Sequence, residues 1–411
     1  MLPYLKRYGW DAEVIAVSPD YVEVYSMDNL FLETIPPDLK VHFIKAFPAV
    51  FTRKFGLGNL SLRGFWHMLR KGNQLLKNDK FDLVFFSTTA FNFMALGPYW
   101  KRKFGIPFIV DIQDPWRNDY YLSQPKSKRP PKFFIAHGID KYLERITIPK
   151  ATGIISVSPD YLKIFKSRYK PLNTPTTVIP FAGYKPDLEI ASKLTDEKLS
   201  ISFDKNYINI VYIGRGGHDL EYSLSIFFLA LQKGITMNPE VFKKVRCWFI
   251  GTSYAPQGQG KKTIEPIAAR FSVRDYVTEI PDRLPYFETL AVLNRADILF
   301  VPGSMDKGYT ASKIYPYILS EKPLLACFHI NSTVIEVLKT SPLAQLVSFE
   351  TTDVLQEYLV ADMFKKLTSL IRMKGQKCGY NQLEFETYTA NSMTRNVVHF
   401  FEECLLKDHL N

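Results

Sequence analysis

The chain has 411 residues, too many for one comfortable hydrophobic core, so two or three domains are expected. Its 46% hydrophobic and 14% aromatic content excludes a disordered chain, and its net charge of +11 fits either an anionic partner or a basic, soluble surface. Specific nucleic-acid binding is disfavoured, because the sequence holds no zinc-ligand pair, basic zipper or RNA-binding signature.

Four cysteines (Cys247, Cys327, Cys378 and Cys404) lie far apart and form no CxxC pair. They read as reduced, mostly buried thiols of a cytoplasmic protein. No secretory signal opens the sequence, and no apolar run reaches the roughly 18–20 residues needed to cross a bilayer. Membrane attachment, if any, is expected to be peripheral, at the inner face of the cytoplasmic membrane.

From the start, 2–8 reads as the end of an amphipathic helix, Gly9 as its stop and 12–17 as a strand. A parallel sheet ordinarily supplies a strand and loop before such a helix, so the N-terminal domain is expected to lack its first strand. Strands follow at 81–86, 107–112 and 152–157, with helices at 91–103 and 132–148 between them. Ser158, Pro159 and Asp160 then give a helix its cap, first-turn proline and acid. Near-continuous apolar strands separated by helices predict a parallel sheet covered on both faces. Residues 181–205 are polar and irregular, which places a linker at 184–205 between an N-terminal domain, 1–183, and a C-terminal domain, 206–385. The second series has strands at 208–211, 246–250, 277–280, 298–301 and 323–327. The terminal segment 386–411 holds a helix able to pack back on the N-terminal domain. The expected class is α/β, with two doubly wound, Rossmann-like domains facing across a cleft.

The most informative stretch follows the strand at 208–211. Tyr212-Ile213-Gly214-Arg215-Gly216-Gly217-His218-Asp219 joins it to a helical pattern at 220–231. Glycines let the backbone approach a ligand closely, and the first helical N–H groups with the helix dipole favour an anion. Arg215 adds a cation suited to a phosphate fork. An ordinary strand-to-helix turn that binds nothing has the same outline. After the next strand, Gly251, Thr252, Ser253 and the cations Lys261 and Lys262 could close over a diphosphate or merely form a solvated loop. Beyond Val301-Pro302 come Tyr309, Thr310, Ala311, Ser312 and Lys313, where a helix cap and a lysine meet at a strand end. In the first domain, Asp111, Asp114, Trp116 and Arg117 stand where a strand ends. Carboxylates and an indole there could orient a sugar, although Asp114-Pro115 could equally start a helix and Trp116 pack in a core.

Taken in order, these residues resemble the GT-B glycosyltransferases, particularly family 4. The likeness runs through Asp111-Ile112-Gln113-Asp114-Pro115-Trp116, Ile155-Ser156-Val157-Ser158-Pro159, Ile179-Pro180-Phe181, Tyr212-Ile213-Gly214-Arg215, Ser312-Lys313-Ile314-Tyr315-Pro316-Tyr317 and Lys322-Pro323. The resemblance implies transfer of a sugar from a nucleotide-sugar donor to a glycan or lipid-linked acceptor, usually with retention and with no metal or other cofactor. It places Arg215 and Lys313 as catalytic groups and puts Gly214, Gly216, Gly217, His218, Gly251, Thr252, Ser253 and Tyr309 to Ser312 around the donor. The acceptor falls to Asp111, Asp114, Trp116 and Arg117. The chain departs from the family in three ways. The paired glutamates with seven residues between them are replaced by Gly308 and Pro316, and Leu220 stands near the place of a lysine often found after the arginine. The first strand and its glycine-rich loop would precede Met1 in the expected layout, so either the chain lacks them or its start is assigned too late. Ribose hydroxyls would then need a neighbour such as Glu321. A nucleotide-sugar 2-epimerase and a catalytically inactive binding module share this outline. The basic runs 101–103 and 126–129, the second ahead of Phe133-Phe134, mark a surface for anionic lipid or a solvated charge run.

Overall fold

A computed structural model describes residues 1–22, 28, 30–55, 58–117, 119–122, 125–126, 129, 132–305, 312–351 and 354–409. Tyr309, Thr310, Ala311 and the replaced position Gly308 lie outside them, as do Ser127 and Lys128 of the second basic run. The chain divides into two compact units, one formed by 1–24, 35–181 and 391–411, the other by 25–34 and 182–390.

In the first unit all strands run parallel, but they form two sheets rather than one. β1 (Glu13–Val17) pairs with β2 (Lys40–Ile44). β3 (Val84–Ser87), β4 (Phe108–Ile112), β5 (Gly153–Ser156) and β6 (Thr176–Val178) form a second sheet in that order. β5 has neighbours on both sides and is buried throughout, whereas every residue of β1 is only half-buried although its sequence is Glu-Val-Ile-Ala-Val. One face of the larger sheet carries Phe86, Phe108, Val110, Ile112 and Ile154, packed with Met68, Trp100 and Phe93 from the covering helices. Gly72 in helix Leu60–Asn78 is required there, because a Cβ would stand 2.2 Å from the Trp100 ring. The other face carries Ile109, Ile155 and Ile179, covered by Val397, Phe400, Phe401 and Cys404 of helix Ala390–His409. The last helix therefore completes the core of the first unit.

The described residues of the second unit hold six parallel strands: β7 (Ile208–Ile213), β8 (Val245–Ile250), β9 (Val277–Ile280), β10 (Ile298–Pro302), β11 (Leu324–His329) and β12 (Gln345–Phe349). Their order, β12-β11-β10-β7-β8-β9, sets the first strand of the unit in the middle and reverses direction between β7 and β10. In open parallel sheets this switch point is where ligands gather, beyond the carboxyl ends of the strands. β7, β10 and β11 are buried along their whole length, and helix Glu221–Met237 stacks Phe227 on Phe300 of β10 at 4.2 Å between ring centres.

The expected linker, 184–205, is part of this unit instead. It contains helix Lys185–Ser192, whose Leu188 and Ala191 are buried against helix Tyr286–Arg295. Tyr286 donates its hydroxyl to Asp187 at 2.8 Å, and Arg295 reaches both the Asp196 carboxylate and the Leu194 carbonyl. A two-turn helix has too few periodic positions to stand out in sequence, and the partners that hold this one lie about a hundred residues further on.

Candidate functional site

The turn after β7 is held open by glycine and filled by one lysine. Gly214 donates its N–H to the Ile250 carbonyl at 2.9 Å and Gly216 to the Thr252 carbonyl at 2.8 Å, so the turn is fastened to the end of β8. A Cβ at Gly214 would lie 2.1 Å from Lys313 Nζ, and one at Gly216 would lie 2.4 Å from Thr263 Oγ1. Gly217, at φ +140°, has a backbone that side-chain-bearing residues rarely adopt. Substitution at any of these three glycines would displace the groups around the turn.

Lys313 comes from the far side of the switch point, just ahead of helix Ile314–Leu319. Its Nζ donates to the Tyr212 hydroxyl at 2.7 Å and sits 4.5 Å from the centre of that ring, and the hydroxyl in turn donates to the Arg215 carbonyl at 2.9 Å. Burial of the ammonium, with the charges of Arg215 and Arg283 adding to it, brings its pKa down to about 7. Tyr317, fully buried one turn along, receives the helix onto β7 by accepting the Ile213 N–H at 2.7 Å. Pro316 falls in the first turn of this helix, where its missing N–H leaves no intrahelical bond unmade.

Arg215 forks onto Asp219 at 2.7 and 2.6 Å. Burial would raise the Asp219 carboxyl, but hydrogen bonds from Arg215 and Ser304 outweigh it and hold the group below its ordinary range. Arg215 is thus oriented and already half-compensated. Sequence reading did not single out Asp219 in this role.

The other expected donor residues divide. Gly251, at φ +70°, lies in the wall of the site. Thr252 supplies its carbonyl to Gly216, while its hydroxyl turns away to Glu279 at 2.7 Å. The Ser253 hydroxyl accepts the Ala255 N–H at 3.0 Å. His218 is 98% exposed and faces water beside Glu221, so the turn does not aim it at the glycines. Ser312 is exposed at the edge of the undescribed segment. Glu321 is not brought to the site: it stands at the far end of helix Ile314–Leu319, at φ +56°, with its carbonyl accepting the Cys378 N–H. Sequence also missed Glu279, which is 2% exposed and accepts the N–H groups of Thr263, Ile264 and Glu265 besides the Thr252 hydroxyl. That carboxylate fixes the loop carrying Thr252 and Thr263.

In the first unit, Asp111 at the end of β4 accepts hydrogen bonds from Ser87 at 2.9 Å and Gln113 at 2.8 Å. Burial raises its pKa, and those two bonds limit the rise. Asp114 is exposed. Trp116 is not a stacking platform: it is 4% exposed, stacks on Phe91 and donates its indole N–H to Asn92 at 3.3 Å. Arg117 is committed as well, its side chain to Asp119 at 3.0 Å and its N–H to Glu144 at 3.2 Å. Around it lies a charged network that the sequence did not announce. Arg168 bridges the fully buried Glu144 at 2.9 Å and Asp119 at 2.8 Å, His137 meets Asp119 at 2.8 Å, and Tyr169 donates to Glu144 at 2.6 Å. Against the cost of desolvation, His137 and the two arginines hold Asp119 down to about 2. Burial lifts the adjacent Asp140 to about 6, with His137 opposing the rise and Glu144 adding to it.

Comparison with known proteins adds a family match over part of the chain. Residues 2–181 match the family model described as Glycosyltransferase Family 4. No curated protein sequence matches the chain. Among solved structures, HepE from Anabaena in complex with UDP and glucose aligns with a TM-score of 0.58 at 11% identity, over 95% of this chain and 99% of that one. A glycosyltransferase from Rickettsia africae ESF-5 aligns at 0.56 and 14% identity, over 98% and 93%. A trehalose-6-phosphate structure from E. coli bound with UDP-2-fluoro glucose aligns at 0.55 and 11% identity, over 96% and 99%. Residues 2–181 therefore carry the sequence features of Glycosyltransferase Family 4, and the chain has the fold of the GT-B glycosyltransferases.

Proposed function

We propose that the protein transfers a sugar, with retention at the anomeric carbon, from a nucleoside-diphosphate sugar to a glycan or lipid-linked acceptor in cell-surface polysaccharide assembly. The observation that carries this reading is the meeting of Arg215 and Lys313 at the switch point of the second unit, beside glycines that leave the Gly214–Gly217 turn bare. Similar structures bound to UDP and to a UDP-sugar analogue support a nucleotide donor.

In the transfer, the bond between the anomeric carbon and the diphosphate oxygen breaks, and its electron pair leaves with the oxygen. The acceptor hydroxyl bonds to that carbon, and its proton passes to a departing phosphate oxygen. Negative charge on the diphosphate peaks in the transition state, where Arg215 and protonated Lys313 stabilise it more than they stabilise the ground state. Acceptor recognition is assigned to Asp111 and Asp114 in the first unit, with Trp116 and Arg117 holding the loop that presents them. The chemistry asked of these side chains needs no metal or other cofactor.

Contact with an anionic bilayer completes the reading. Phe47, Val50, Phe51, Trp66, Phe134 and Ile135 are exposed on the first unit. Lys132 donates to the carbonyls of Arg53 and Lys54, joining the segments that carry them, and Arg129 lies 5.1 Å over the Phe134 ring. Apolar side chains beside cations suit a headgroup layer. The run 101–103 contributes less, because Lys101 is paired with Asp408 at 2.6 Å and Lys103 donates to Tyr99. In this reading the protein works at the cytoplasmic face of the membrane.

The enzymatic proposal is tested by nucleotide release from a panel of nucleotide-sugars, with and without acceptor. Release that depends on acceptor is expected. Binding without release would identify an inactive module, and conversion of the sugar without acceptor an epimerase.

A further inference from the structure

Two loops of the second unit are laced into one wall beside the turn 214–217. Gly251 donates its N–H to the Ile280 carbonyl at 2.8 Å, Ser253 to the Pro281 carbonyl at 3.0 Å, and Gly258 to Asp282 Oδ1 at 3.0 Å. The approach is tight at Gly260, where a Cβ would stand 2.5 Å from that of Pro281, and Gly251, at φ +70°, faces Arg283 in ordinary van der Waals contact. This lacing carries Arg283, which follows β9, to the ends of β7 and β8, where its charge opposes protonation of Lys313.

The surroundings of Arg283 are those of a group awaiting an anion. Its guanidinium carbon lies 3.9 Å from the centre of the Tyr254 ring, so it is held by a π face rather than by a carboxylate. Its Nε is a buried donor with no hydrogen-bond partner, and among the described residues no carboxylate pairs with it. Neighbouring Asp282 turns instead to the Gly258 N–H. Thr263 Oγ1, which faces Gly216, is likewise buried and unpartnered. Among the described residues here, Arg215 is matched by Asp219, Lys313 meets a neutral hydroxyl and Arg283 meets a ring. An excess of positive charge with an unmade N–H bond is costly and is relieved by a multiply charged anion.

We propose that Arg283 is a further ligand of the donor diphosphate, pre-positioned by Tyr254 and contributing a guanidinium that no carboxylate among the described residues neutralises. The assignment rests on the donor-site reading above and adds one residue to it. Tyr254 holds the planar group, and Gly251 lets the loop bring it in.

The test is calorimetric titration of the full chain with UDP, GDP and ADP and with the matching nucleosides. The parent protein is compared with Arg283→Ala, Arg283→Lys and Arg215→Ala. Arg283→Ala should weaken the tightest diphosphate by about ten- to a hundredfold, the loss of one charge-assisted hydrogen bond, and leave its nucleoside unchanged. Arg283→Lys should recover part of the loss. Arg283→Gln replaces the alanine variant if that one fails to fold. Diphosphate affinity that falls in Arg215→Ala but not in Arg283→Ala overturns the role of Arg283 alone. Equal weakening of diphosphate and nucleoside overturns it too, because Arg283 would then only shape the loop. If no diphosphate binds the parent protein, the donor-site reading fails and the assignment falls with it.

Discussion

At the scale of single residues, Lys313 gives the site a pH dependence whose sign follows from its pKa of about 7 in place of the ordinary 10.5. Below pH 7 Lys313 carries an ammonium, and above it a neutral amine. Diphosphate affinity should therefore fall as pH rises from 6 to 8, approaching about tenfold per unit above the pKa while only the charged form binds. Stability runs the other way. Between about pH 7 and the ordinary lysine range the unfolded chain binds the proton that the folded chain has lost, so the second unit gains stability as pH climbs through that window. Lys313→Arg should flatten the affinity profile, and Lys313→Ala should flatten it and lower turnover as well. Titrations at several pH values check this, and an equally steep profile in Lys313→Arg would reassign the dependence. Gly214 and Arg215 stand out in the sequence because they sit where a strand pattern breaks, and Lys313 because it precedes a helix; the structure brings the three side by side. Arg283 does not stand out, since it is an unremarkable loop cation until two loops are laced together 68 positions from Arg215 (283 − 215). Trp116 was legible as important but not in its role: an indole looks the same in sequence whether it stacks on a sugar or on Phe91.

At the scale of elements, the loop between β8 and helix Glu265–Arg270 hangs on one carboxylate. Glu279 accepts the N–H groups of Thr263, Ile264 and Glu265 and the hydroxyl of Thr252, and it is almost completely buried. Glu279→Ala strands those donors without water to replace the lost acceptor. It should cost about 3 kcal/mol or more, since each orphaned buried donor carries a penalty of ~1–3 kcal/mol. It should also weaken diphosphate binding, because the loop that lends the Thr252 carbonyl to Gly216 loses its anchor. Thermal unfolding paired with titration checks both effects; an unchanged melting temperature would mean that the loop is held elsewhere. Strands were the most legible elements. β4, β5, β7, β8, β10 and β11 all fall on apolar runs, since a strand covered on both faces must be apolar along its length. Helix Lys185–Ser192 was hidden because its identity depends on Tyr286 and Arg295, far along the chain, rather than on its own eight residues.

At the scale of the whole molecule, net charge and exposed apolar side chains bear on where the protein works. The first unit should co-sediment with anionic vesicles at low salt and much less at high salt, and should bind neutral vesicles weakly, each cation near the headgroups adding about 1 kcal/mol. Phe51→Ser with Trp66→Ser should reduce that binding without changing nucleotide affinity, because both side chains already stand in solvent. Equal, negligible binding to all vesicles would remove the bilayer from the proposal. No helix among the described residues is long and apolar enough to cross a membrane. The alternation of strands and helices announced two α/β layers. It did not announce that the order of units along the chain is broken twice, at 25–34 and again at 391–411.

That second break has a consequence for synthesis. Ile109, Ile155 and Ile179 form a greasy sheet face whose cover, Val397, Phe400, Phe401 and Cys404, is translated only after residues 182–390. While residues 182–390 are being translated, the first unit waits as an open-faced intermediate, able to collapse on one side only. Its final folding step therefore waits until residues 391–411 have been made, and the intervening unit, whose described strands run from 208 to 349, can finish first. A nascent chain stalled before residue 391 would be the species most in need of a chaperone. Quality control would then read residues 391–411 to judge whether the segment before residue 182 has folded.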